Sequence, residues 1–87
     1  MSIFDIPKQL VELDTEIKRV KNDHEETVEE LRSTVKRLNE LDNYDTFSKY
    51  QSDYDDAMAL ADIETELRQQ HNSLVEEYNQ LAERVRA

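Results

Sequence analysis

The hydrophobic positions in the first half of the chain recur at alternating intervals of four and three residues. The residues with this spacing are Ile6, Leu10, Leu13, Ile17, Val20 and His24. Heptad spacing of this kind predicts an amphipathic helix that packs along one seam against another helix. Val28 comes four residues after His24, and the alternation then resumes at Leu31, Val35 and Leu38. The additional step of four is a stutter, which locally unwinds a coiled coil.

The ends of this first helix are predicted from a proline and a short polar segment. Pro7 lacks a backbone N–H, and the first helical turn tolerates that loss because its N–H groups have no helical partner. Residues 42–45 read Asp-Asn-Tyr-Asp. Asn tolerates the left-handed conformation that ends helices, and Asp or Thr caps the helix that follows. We therefore predict a helix over residues 7–41 and a turn over residues 42–45.

A second heptad pattern follows the turn and predicts a helix over residues 46–86. Its seam comprises Phe47, Tyr50, Tyr54, Ala57, Leu60, Ile63, Leu67, His71, Leu74, Tyr78, Leu81 and Val85. Two successive steps of four, from Ile63 to Leu67 and on to His71, form a second stutter. Each helix thus has one break in its heptad phase, with a histidine beside the break.

Two long helices joined by about four residues predict an antiparallel hairpin. With the turn centred between residues 43 and 44, His24 faces Ile63, so one seam residue meets another. The sequence therefore predicts an all-α protein, a coiled-coil-like hairpin that forms a single domain over residues 1–87. Val11, Val75 and Ala82 widen the apolar stripe, which favours self-association of two hairpins into a helical bundle.

An alternative fold breaks both helices at the stutters. Asp23-x-x-Glu26 and Ser73-x-x-Glu76 both resemble capping boxes, the motif that starts a helix. Breaks at these points would give a compact bundle of three or four short helices.

Composition supports helices and limits the classes of partner. The chain has no Gly, one Pro and no Cys, which disfavours sharp turns and excludes disulfides. No stretch approaches the roughly 20 apolar residues of a membrane span, and the N-terminus lacks a secretory signal pattern, so a cytoplasmic location is expected. The net charge of −10 disfavours direct binding to nucleic acid or to an anionic membrane surface.

The negative charge is concentrated in residues 42–66, which contain eight acids and one lysine, a net charge of −7. Aromatic residues interleave with the acids there, and tyrosine is enriched at protein interfaces. The candidate partner-binding residues are Tyr44, Asp45, Phe47, Tyr50, Asp53, Tyr54, Asp55 and Asp56. A purely structural interpretation remains open, in which the rings belong to the seam and the carboxylates are solvated.

A second candidate surface is the apolar N-terminal segment of residues 1–6, with Ile3, Phe4 and Ile6. These side chains either dock a partner or cover the open end of the hairpin.

The sequence predicts no enzyme, no metal site and no cofactor. Asp53, Asp55 and Glu64 match positions 1, 3 and 12 of a calcium loop, but Met58 stands where the loop needs Gly. The two histidines lack the Glu three residues earlier that a bundle metal site requires. Nucleophile–base pairs would need a concave pocket, and a two-helix hairpin has convex faces.

Two hypotheses of function follow. The first is a structural or adaptor protein, such as a scaffold, assembly chaperone or accessory subunit, that acts through contacts with itself and with another protein. The alternative is an acidic inhibitor that occupies a basic, nucleic-acid-binding groove of a partner, with its carboxylates in place of phosphates.

Overall fold

The computed structural model describes residues 5–40 and 46–86, which form two long helices. Helix α1 spans Asp5–Asn39 and helix α2 spans Phe47–Arg86, with 35 and 40 residues. The helices pack against each other in a hairpin about four times longer than it is wide, with extents of 63 × 15 × 14 Å. His24 pairs with Glu64, and Arg37, later in α1, pairs with Asp53, earlier in α2. The helices are therefore antiparallel, as predicted.

Neither helix is interrupted at the two predicted stutters. Helix α1 continues through Asp23 and α2 through Ser73, so the alternative bundle of short helices is wrong. The capping-box patterns at these points have no structural role as helix starts, because Glu and Asp are frequent in these exposed helices and match the motif by chance.

Three of the four helix ends differ from the prediction by one or two residues, and α2 ends at Arg86 as predicted. Helix α1 begins at Asp5 and not at Pro7, so Asp5 and Ile6 belong to the helix and not to a separate N-terminal segment. An acidic residue in the first turn is favourable there because it faces the positive end of the helix dipole. Helix α2 begins at Phe47, and the Thr46 hydroxyl accepts a hydrogen bond from the Lys49 backbone N–H at 3.3 Å. Thr46 is thus the N-cap.

The seam between the helices keeps one unbroken heptad phase, which corrects the predicted stutters. The buried and half-buried seam residues of α1 are Ile6, Leu10, Leu13, Ile17, Val20, His24, Thr27, Leu31, Thr34 and Leu38. Those of α2 are Tyr50, Asp53, Ala57, Leu60, Glu64, Leu67, His71, Leu74, Tyr78 and Leu81. The steps alternate between three and four throughout, so a continuous supercoil fits the whole length.

Four polar residues occupy seam positions for which the sequence pattern predicts their apolar neighbours. Thr27 and Thr34 replace Val28 and Val35 in α1, while Asp53 and Glu64 replace Tyr54 and Ile63 in α2. Thr34 is only 4% exposed, whereas Val35 is 41% exposed. Phe47, at 75% exposed, also lies outside the seam.

These polar seam residues are tolerated because each has a hydrogen-bonding partner. The Thr27 and Thr34 hydroxyls donate to backbone carbonyls four residues earlier, both at 2.9 Å. Across the seam, Glu64 pairs with His24 and Asp53 pairs with Arg37. Within the described ranges, no buried side-chain nitrogen or oxygen lacks a partner.

The enclosed core is small. Among residues 5–40 and 46–86, the buried hydrophobic residues are Val20 and Ala57, and Thr34 is the buried polar one. Every other seam residue keeps part of its surface exposed to solvent. Two helices can cover each seam side chain from one direction only, so much of the apolar stripe remains open along its edges.

Candidate functional site

The unbroken seam divides the remaining surface into two flanks. In an antiparallel pair, the residues that directly follow a seam residue in both helices lie on one side, and those that directly precede one lie on the other. One groove confirms this geometry, because Glu30 and Arg37 of α1 line it together with Asp56 and Ile63 of α2. All four of these residues precede a seam position.

The first side, which we call the apolar flank, is made of the residues that follow seam positions. Its apolar members are Val11, Val28, Val35, Tyr54, Met58, Ala61, Val75 and Ala82, with Phe47 one heptad before Tyr54. Met58 is 53% exposed and Tyr54 is 45% exposed. Of the seven large hydrophobic residues exposed in the described chain, five lie here: Val11, Val35, Phe47, Tyr54 and Met58. The apolar stripe therefore continues from the seam onto one side of the hairpin.

The charges of the apolar flank are partly neutralised within it. It carries five bases, Lys18, Lys21, Arg32, Arg68 and Arg86, and two acids, Asp14 and Glu25. The Lys18 ammonium lies 2.9 Å from the Asp14 carboxylate, and Arg68 lies 3.9 Å from Glu64 in the seam. The hydrogen bond to Asp14 raises the pKa of Lys18 above its ordinary value. These pairs leave a surface with little negative charge in a strongly acidic protein.

The second side, which we call the acidic flank, is made of the residues that precede seam positions. It carries nine acids, Asp5, Glu12, Glu16, Asp23, Glu26, Glu30, Asp56, Glu66 and Glu77, against four bases, Arg19, Arg37, Lys49 and Arg84. Arg19 bridges Glu16 and Asp23, and its hydrogen bond lowers the pKa of Glu16. Ile63, 45% exposed, is the large apolar residue of this flank.

A histidine–carboxylate pair crosses the seam near its middle. The His24 Nε2 atom lies 3.0 Å from the Glu64 Oε1 atom, and both side chains are mostly enclosed, with 27% and 20% exposed. The hydrogen bond to His24 is the main reason that the pKa of Glu64 is lowered, and the charge of Arg68 acts in the same direction. An acid at a seam position is thus held in its ionised form.

The predicted Tyr–Asp surface is split between several directions. Tyr54 lies on the apolar flank, while Asp56 lies on the acidic flank. Tyr50 and Asp53 are half-buried in the seam, where Asp53 pairs with Arg37 at 3.5 Å. Asp55 points outward and accepts a hydrogen bond from the Gln51 amide at 2.9 Å. Successive helical residues differ by about 100° around the axis, so the four consecutive residues 53–56 cannot share one face.

The remaining predicted residues contribute less. The Phe47 and Tyr50 rings lie 6.4 Å apart, centroid to centroid, at the start of α2. Ile6 is a half-buried seam residue at the other end of the hairpin. Tyr44, Asp45, Ile3 and Phe4 lie outside the described residues.

Sequence reasoning missed Met58, Val28 and Ala61 as members of an apolar surface beside the seam; Met58 is exposed, and Val28 and Ala61 are half-buried. They can be identified by keeping the spacing between seam residues strictly alternating between three and four, even where this spacing places Thr, Asp or Glu in the seam. Kept in phase, the heptad moves the larger apolar neighbours to the apolar flank.

The described residues show neither a metal-binding cluster nor a membrane-spanning helix. No three His, Asp or Glu side chains of residues 5–40 and 46–86 converge on one point. Neither helix, over the same ranges, has a stretch long and apolar enough to cross a bilayer. Comparison with family models, curated proteins and solved structures gave no match to this chain.

Proposed function

We propose that this chain is a non-enzymatic structural or adaptor protein that self-associates through its helical hairpin and acts by protein–protein contact. The observation that carries the proposal is the apolar flank, where exposed and half-buried hydrophobic side chains lie beside the seam in two groups, one near each end of the hairpin. Large exposed apolar patches on soluble proteins mark interaction sites.

The exposed area of a single hairpin supports self-association. One chain exposes 6752 Å², whereas a compact monomer of 10.3 kDa exposes roughly 5,400 Å². Small domains that bury little apolar surface are usually stabilised by disulfides, by a bound metal or by association of copies. This sequence has no cysteine, so disulfides are excluded. Pairing of two hairpins into a four-helix bundle would enclose the seam from a second direction.

Sedimentation across a range of concentrations tests self-association. We expect a mass of at least twice 10.3 kDa at micromolar concentration, with helicity and thermal midpoint both rising with concentration because the association stabilises the fold. A fully helical monomer with a sharp thermal transition, unchanged over a hundredfold range of concentration, would contradict the proposal.

A second candidate function is an acidic inhibitor that occupies a basic groove of a partner protein. The acidic flank favours it, because its nine acids lie along one side of a hairpin 63 Å long. Charge-driven association is fast and weakens steeply with salt, whereas apolar contact responds little. The two functions therefore differ in the salt dependence of partner binding.

Neutralising variants separate these two functions once a partner has been purified. The triple variant Glu26→Gln, Glu30→Gln, Asp56→Asn removes three charges from the acidic flank. Its matched control, Glu76→Gln, Glu83→Gln, Asp62→Asn, removes three charges from the outer surface of α2. For an acidic inhibitor, only the first variant should slow association and flatten its salt dependence. If both variants bind with unchanged rates at low ionic strength, the acidic flank is not the interface.

A further inference from the structure

We infer that the hairpin binds a second copy of itself through the apolar flank, with the same flank on both copies, and leaves both acidic flanks facing outward. The inference specifies the face used by the self-association proposed above and rests on that proposal.

The distribution of charge disfavours the acidic flank as a self-pairing surface. That flank has nine acids and four bases, a net charge of −5, so two copies placed face to face would bring like charges together. The apolar flank has a smaller net charge of +3, from five bases and two acids, and Glu64 in the seam pairs with its Arg68. Long Lys and Arg side chains can also extend their charged ends to solvent while their stems cover apolar surface.

The apolar side chains are continuous enough to form the centre of an interface. Val28 and Val35 of α1 line one groove along this flank together with the stem of Arg32. On α2, Tyr54, Met58 and Ala61 follow each other at intervals of four and three, so they form one ridge. Ridges and grooves of this kind are the elements by which helices pack in bundles.

The area available matches what a stable dimer needs. The hairpin is 63 Å long and 15 Å wide, so full coverage of one side would bury on the order of 900 Å² per copy. A standard specific interface buries about 800 Å² per partner. A pairing of identical faces also closes as a dimer, whereas apolar flank on acidic flank would leave one of each free and grow into open-ended assemblies.

Two exposed apolar residues on α2 provide a matched test. Met58 lies on the apolar flank and is 53% exposed, and Ile63 lies on the acidic flank and is 45% exposed. Met58→Glu and Ile63→Glu add the same charge to the same helix. We expect Met58→Glu to raise the dimer dissociation constant at least about tenfold, and Ile63→Glu to change it less than about threefold. Circular dichroism at high protein concentration checks that both variants remain helical.

A second pair on α1 guards against a local folding defect in the first. Val35 lies on the apolar flank, and Ser33 lies on the acidic flank. The two variants are Val35→Glu and Ser33→Glu. Only Val35→Glu should weaken the dimer. Equal weakening by both members of either pair, or weakening by Ile63→Glu alone, would overturn the assignment of the face while the dimer itself stands. A helical monomeric parent would instead remove the proposed self-association.

Salt provides an independent readout of how the copies are paired. Identical apolar flanks should give a closed dimer whose affinity is unchanged or stronger at high ionic strength, because screening reduces repulsion between two acidic chains. Assemblies that grow with concentration and dissociate in salt would indicate apolar flank on acidic flank, and would overturn the inference.

Discussion

The corrected heptad phase predicts that Thr34→Val is more stable than the same substitution at an exposed position. Thr34 is a seam residue with 4% of its surface exposed, and its hydroxyl donates to the Glu30 carbonyl at 2.9 Å. Thr15 makes the same bond, to the Val11 carbonyl at 3.0 Å, but on the exposed outer side of α1. Valine has nearly the same shape as threonine and removes that bond at either site. Thr15→Val is therefore a control for loss of the hydroxyl bond and for the change of residue type, and it differs from Thr34→Val in burial.

The difference between the two variants measures the burial of one additional methyl group. Exchanging a hydroxyl for a methyl group in an enclosed position is worth about 1 kcal/mol, at about 25 cal/mol per Å² of apolar surface. Loss of the hydroxyl bond costs about the same amount or less in each variant and cancels in the comparison. We expect Thr34→Val to be about 1 kcal/mol more stable than Thr15→Val, or roughly 4–8 °C in melting temperature for a domain of this size.

Thermal and denaturant unfolding at one fixed protein concentration measure this difference, because association would otherwise shift the midpoints. The predicted stutter, with Val35 in the seam and Thr34 outside it, gives the opposite expectation. In that phase Thr34→Val would expose another valine and gain nothing over Thr15→Val. Equal stability of the two variants would therefore refute the continuous heptad.

Other predictions follow from the described geometry. Val20→Ala should cost about 2–3 kcal/mol because Val20 is fully buried, whereas Glu30→Ala on the surface should stay within about 0.5 kcal/mol; denaturant unfolding of both variants measures this contrast. The lowered pKa of Glu64 means that its contribution to stability is present above its ordinary pKa of 4.5 and is lost as pH falls through the lower folded value. Glu64→Gln should consequently flatten the acid limb of the stability–pH profile, and an unchanged limb would show that the pair with His24 contributes nothing. Circular dichroism should give a helical fraction above about 75%, since α1 and α2 contain 35 and 40 of the 87 residues; a value near one half would contradict two continuous helices.

The fold could be predicted because helix periodicity is a property of the whole chain. Heptad spacing on both sides of one short polar segment leaves an antiparallel hairpin as the simplest arrangement, and single errors do not change that outcome. The positions of individual side chains were harder to predict. Val28, Val35, Tyr54 and Ile63 were placed in the seam because each is more hydrophobic than the neighbour that lies there.

The hydrophobicity of single residues does not identify the seam, because two other factors decide which residues lie there. The first is continuity of the supercoil, which a shift of one residue would interrupt in both helices. The second is compensation across the interface, since Asp53 and Glu64 are acceptable only with Arg37 and His24 opposite. Partners on another helix cannot be read from one segment alone. The candidate Tyr–Asp surface was predicted from residues that are close in sequence, and the rotation of about 100° per residue divides them among different faces of α2.

The two polar pairs across the seam, His24 with Glu64 and Arg37 with Asp53, also oppose sliding of one helix past the other. Some helical assemblies transmit a signal when one helix slides past another by a turn, about 5.4 Å. A slip of that size would carry Glu64 away from His24 and Asp53 away from Arg37 at the same time, and would leave both half-buried carboxylates without these partners. Charged residues at seam positions fix the register of paired helices in this way. We therefore expect the hairpin to keep a fixed length, with the distance between its two ends unchanged when a partner binds along its side.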